Sequence, residues 1–116
     1  MRDHSRDALF QALLGANALN QLRFDLTHQT RSDNGVNDNV SWLDFTHGLT
    51  FANAVRVQCS RVPALWPEGL LQMACFVGRN ARYTDTAASI DRWQVGDRHA
   101  FFAQIVERLL DRKSVV

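Results

Sequence analysis

Apolar residues recur at intervals of three and four in four separate stretches of this chain, and no stretch alternates apolar with polar residues long enough for a strand. A chain written in that period hides its apolar surface by packing helices against one another, so an all-α fold is expected. The first stretch runs from about Arg6 to His28, where Leu9, Leu13 and Ala16, widened by Ala12, Leu19, Leu22 and Leu26, form a broad stripe. The sequence "TRSDNGVNDN" follows, which is turn chemistry throughout and too polar to bury. It lacks the ligand period and closing Glu of a calcium loop and reads as a mobile connection.

Ser41 with Asp44 three residues on is the signature of a capping box ahead of an apolar run, and predicts a second helix from there to about Arg61. Trp42, Leu43, Phe45, Leu49, Phe51, Ala52, Ala54, Val55 and Val57 cover nearly its whole circumference, so burial on most sides is expected. Pro63 and Pro67 interrupt the chain, and Pro67 suits the first position of a third helix running to about Ala81. A connection with one short helical turn leads to Asp97, a suitable N-cap for a fourth helix over about Arg98–Lys113. That last helix is plainly amphipathic: Phe101, Phe102, Ile105, Val106, Leu109 and Leu110 are expected to face inward, with Gln104, Glu107, Arg108, Asp111 and Arg112 outward. Four helices with mostly short connections predict an up-down four-helix bundle with a buried central hairpin of helices two and three. At 116 residues the chain is one domain, or one part of a longer protein.

Thirteen basic residues nearly cancel twelve acidic ones, leaving a net charge of +1 and no global field to recruit nucleic acid or a membrane. Helix two is too apolar to read a DNA groove, and the arginines at 79, 82, 92 and 98 alternate with Asp85, Asp91 and Asp97 as in a salt-bridge network. No run of about 18 apolar residues and no apolar leader behind a basic start is present, and two cysteines are too few for a disulfide scaffold. A cytoplasmic protein with Cys59 and Cys75 as reduced core thiols is expected.

One repeated pattern carries chemistry. Asp25-Leu26-Thr27-His28 ends the first predicted helix and Asp44-Phe45-Thr46-His47 begins the second. In an up-down bundle both lie at one pole, and on a helix residues three apart can address one point. Asp25, His28, Asp44 and His47 are thus candidate ligands for a divalent transition metal held by two histidines and a carboxylate. A di-metal carboxylate centre is disfavoured, because Glu68 starts helix three at the opposite pole and Glu107 lies roughly 15 Å into helix four. Without metal, Asp44 would orient His47 as a general base, with Arg56 or Arg79 holding an anionic substrate. The competing expectation is structural: Asp44 as capping partner, His28 as a charge at a helix C-terminus, His47 as a neutral core residue. Whether the chain is an enzyme stays open. Trp42, Trp66 and Trp93 stand at helix ends or in connections, which points to a homo-oligomer or a contact within a parent protein. A non-catalytic interaction or oligomerisation module is therefore the alternative to a metal- or small-molecule-binding pole.

Overall fold

The computed structural model describes residues 5–30 and 40–111, so the polar segment at 31–39, its expected mobility, and Arg112 and Lys113 lie outside the described residues. The fold is all-α, with four helices: α1 (Arg6–Leu22), α2 (Trp42–Arg61), α3 (Trp66–Ala81) and α4 (Arg98–Leu110). Single 3-10 turns lie at Leu26–Thr30, Pro63–Leu65 and Asp91–Trp93.

The helix boundaries have local causes. Ser5 Oγ accepts the Ala8 N–H at 3.3 Å to start α1, and Asp97 Oδ1 accepts the Ala100 N–H at 2.8 Å to start α4. Asp44 Oδ2 takes the Ser41 N–H at 2.9 Å, the contact the capping-box pattern predicts. Val62 is extended because Pro63 follows it, which ends α2, and Pro67 sits in the first turn of α3. The first helix is six residues shorter than its apolar stripe suggests. The backbone leaves α1 to bond to the chain beyond α3, with Asp25 N–H donating to Tyr83 C=O at 3.0 Å and Asp85 N–H to Arg23 C=O at 2.8 Å. These bonds frame an isolated antiparallel bridge between Phe24 and Thr84.

Contacts along the helices fix their directions. Phe10 packs edge-on against Trp66 and the Asn20 side chain donates to Val77 C=O, so α1 and α3 run parallel. Asn17 lies at Gly48 and Phe24 stacks on Phe45, so α2 runs antiparallel to both and forms the expected hairpin with α3. The main core is Phe10, Ala52, Val55, Cys59, Trp66 and Met73, lined by Leu13, Leu14, Phe51 and Leu70. A smaller core of Val40, Phe45 and Tyr83, with Phe24 against it, closes one pole.

Between these two cores lies a polar layer. Asn17 and Asn80 are 2% and 1% exposed. Asn80 bridges helices by donating to Asp44 C=O at 3.4 Å while its Oδ1 accepts from Arg79 at 3.3 Å. Asn17 Nδ2 donates to Leu13 C=O, and its Oδ1 is buried without a hydrogen-bond partner among the described residues. The layer permits a close crossing: a methyl group on Gly48 would stand 2.8 Å from Asn17 Oδ1, and one on Gly69 would stand 2.9 Å from Val55 Cγ1. Glycine is required at both places by proximity, since neither has a positive φ.

Several expected faces turn out differently. The buried side of α1 is Phe10, Leu13, Leu14 and Asn17, whereas Leu9, Leu22 and Leu26 are exposed. Helix α2 buries one stripe, Phe45, Gly48, Ala52, Val55 and Cys59, instead of most of its circumference. Helix α3 buries Trp66, Met73 and Asn80 at a strict spacing of seven. No residue of α4 is buried.

Candidate functional site

Two regions compete for a functional role, the pole with the repeated motif and the outer face of α4. At the pole, the topology brings both motifs to one end of the helices, as the up-down reading requires. The first motif lies past the end of α1, in an Asx turn. Asp25 Oδ1 accepts the Thr27 N–H at 3.0 Å and the Thr27 hydroxyl at 2.7 Å, and leads into the 3-10 turn that carries His28. Asp25 Oδ2 lies 4.0 Å from His28 Nε2, and the imidazole stands edge-on to the Tyr83 ring with centroids 5.2 Å apart. His28 therefore packs on Tyr83 at the wall of the small core, in the last turn of the 3-10 helix beyond α1.

In the second motif, Asp44 is engaged from two directions. One carboxylate oxygen holds the Ser41 N–H, and the other accepts from Arg79 Nη1 at 3.2 Å. His47 is exposed, on a face of α2 shared with exposed Leu43 and Ala54, so it is not a core histidine. The carboxylate that was to orient His47 as a general base is instead partnered by Arg79 among the described contacts. Arg56 caps its own helix face by donating to Asn53 Oδ1 at 2.9 Å. No three His, Cys, Asp or Glu side chains come together as a metal-holding group among the described residues. What joins the two motifs is apolar: Phe24, next to the first, stacks on Phe45 of the second at 4.6 Å. Of the cysteines, Cys59 is buried in the main core and Cys75 is exposed.

On the other region, α4 turns its apolar stripe outward. Leu110 is 78% exposed, Leu109 67%, Phe102 56% and Val106 54%, with Phe101 and Ile105 also classed as exposed. Trp93 flanks this stripe, and Leu22 at the end of α1 supplies the opposite wall. Together with Phe101, Ile105 and Leu109 they line a groove of about 390 Å³. Arg108 lays its guanidinium over the Trp93 ring at 4.9 Å, which holds the tryptophan at the groove edge. A second, smaller groove of about 280 Å³ lies between α2 and α3 over Phe51, Val55, Cys59 and Leu65, where Gly69 lets the helices approach.

Sequence pattern identified the α4 stripe but not its walls. Leu22 belonged to the presumed inward stripe of the first helix, and Trp93 carried no periodic signal in its connection. Topology brings Tyr83 to the same pole, but its burial with Val40 and Phe45, and the asparagine layer, carried no signal in the apolar periodicity. A signal for the layer existed in the spacing of seven from Phe10 to Asn17 and from Trp66 through Met73 to Asn80. No helix among the described residues is long and apolar enough to cross a membrane. Comparison of the chain with protein-family models, curated proteins and solved structures gives no match.

Proposed function

We propose that this chain is a non-catalytic helical docking module whose contact surface is the apolar face of α4 with Leu22 and Trp93 at its flank. The observation that carries the proposal is the exposure of all six large apolar residues of α4 on a helix with its own N-cap. Contiguous apolar surface of this extent marks contact sites on folded proteins. The composition also fits, since aromatic and aliphatic side chains sit in the middle while Gln104, Glu107 and Arg108 form a polar margin. The proposal includes a cytoplasmic setting, where an exposed thiol such as Cys75 stays reduced.

A metal or small-molecule pole at Asp25, His28, Asp44 and His47 is the weaker reading, because Asp44 is committed to Arg79 and Ser41 while His47 faces outward. It has its own test in metal content by mass spectrometry. Stoichiometric zinc, manganese or iron, lost in a His28→Ala/His47→Ala variant, would favour the pole over the docking face.

The docking reading is tested by thermal and denaturant melts of Phe102→Asp and Leu109→Asp. At concentrations low enough to keep the chain monomeric, substitutions on an exposed face leave stability within about 0.5 kcal/mol, and the variants should bind less of a dye specific for apolar surface. A loss of several kcal/mol would mean that α4 is part of the core and would remove the docking face.

A further inference from the structure

We infer that the occupant of the α4 face is the α4 of a second copy of this chain, paired antiparallel about a two-fold axis. This rests on the docking reading and adds the identity of the partner. Two observations select a second copy.

The first is extent. From their exposures, the six apolar side chains of α4 leave on the order of 600 Å² open, and Leu22 and Trp93 bring one copy's share near the roughly 800 Å² of a standard interface. Because a two-fold axis presents the same patch twice, one helix face supplies both halves of the contact. In one antiparallel register Phe101, Ile105 and Leu109 of one copy can then lie beside Leu110, Val106 and Phe102 of the other.

The second is orientation. Asp97 caps α4 beside Arg98 and His99, and Glu107 and Asp111 alternate with Arg108 and are followed in sequence by Arg112 and Lys113, so charge is mixed at both ends and the helix dipoles set the direction. An antiparallel pair opposes the two dipoles and brings Arg98 of each copy near the stretch that carries Glu107 and Asp111 of the other.

Sedimentation equilibrium of the native chain over a roughly hundredfold concentration range, with three variants, tests this. The native chain should form dimers and no higher species. Phe102→Asp should abolish dimerisation while retaining the native circular dichroism. Arg98→Glu should weaken the dimer about threefold to tenfold, and adding Glu107→Lys with Asp111→Lys should recover most of that loss, because each charge pair occurs twice in the dimer. A native chain that stays monomeric throughout, a dimer indifferent to Phe102→Asp, or reversals that do not compensate would each overturn self-pairing. The docking reading fails by a different result, the destabilisation of the monomer by Phe102→Asp, so the two failures are distinguishable.

Discussion

Helices α2 and α4 invert the usual relation between pattern and burial. Helix α2 is apolar nearly all round, a pattern that belongs in the middle of a molecule, yet it buries one stripe of five residues and exposes Trp42 and Leu43. Helix α4 has the cleaner two-sided pattern and contains no buried residue. Amphipathicity states which face needs a partner. It does not state whether that partner is in the same chain. For α2 the partner is decided by small residues: Gly48 against Asn17, Ala52 at the centre, and Gly69 of α3 against Val55 let three helices approach closely. On α4 the large side chains Phe101, Phe102, Ile105 and Leu109 form a broad surface suited to a complementary one.

The sharpest way to break this comparison is a matched pair of truncations. Phe45→Ala, at a position 1% exposed between Phe24 and Tyr83, should cost about 3–5 kcal/mol in denaturant unfolding. Phe102→Ala in α4 should cost less than about 0.5 kcal/mol by the same measurement. Equal losses would erase the distinction between the two helices.

A second test bears on the close crossing. Gly48→Ala would ordinarily help a helix by up to about 1 kcal/mol, but here the new methyl meets buried Asn17, and a net loss of about 1–3 kcal/mol is expected. Combining it with Asn17→Ala should recover much of the loss in a double-mutant cycle, because the obstructing atom is then gone. Strict additivity of the two changes would contradict the packing described. Smaller still is Asp44→Ala, which removes a cap and a half-exposed ion pair to Arg79 and should lower the melting free energy by about 1 kcal/mol. The smallest effect belongs to Leu109→Asp, within about 0.5 kcal/mol of native stability, even though it places a carboxylate on an apolar stripe.

Much of this architecture was legible in the residues. The capping signature at Ser41 and Asp44, the prolines at 63 and 67 and the cap at Asp97 placed three helix starts within a residue or so, because these are local chemical signals. The gathering of both repeated motifs at one pole also followed from topology alone. What escaped was tertiary. The face of α1 was misjudged because Asn17 and Asn20 occupy inward positions, Asn17 donating to Leu13 C=O one turn back on its own helix and Asn20 to Val77 C=O, which only folding brings near. The end of α1 was set by backbone bonds of Asp25 to Tyr83 and of Arg23 to Asp85, some sixty residues away in sequence. Asp25 keeps His28 within 4.0 Å, but through an Asx turn at Thr27 and not on a helix face, whereas the expected pairing of Asp44 with His47 gave way to an ion pair with Arg79.

The central claim is that, among the described residues, the apolar face of α4 stays largely exposed, with Leu22 and Trp93 at its flank. Amide hydrogen exchange of residues 98–110 against residues 45–59, at low and at high protein concentration, tests it most directly. The account predicts that dilute protein exchanges α4 fast, near the rate of a fraying helix, while the buried stripe of α2 stays protected, and that concentrating the protein slows α4 alone. Protection of α4 equal to that of α2 in dilute solution would contradict it.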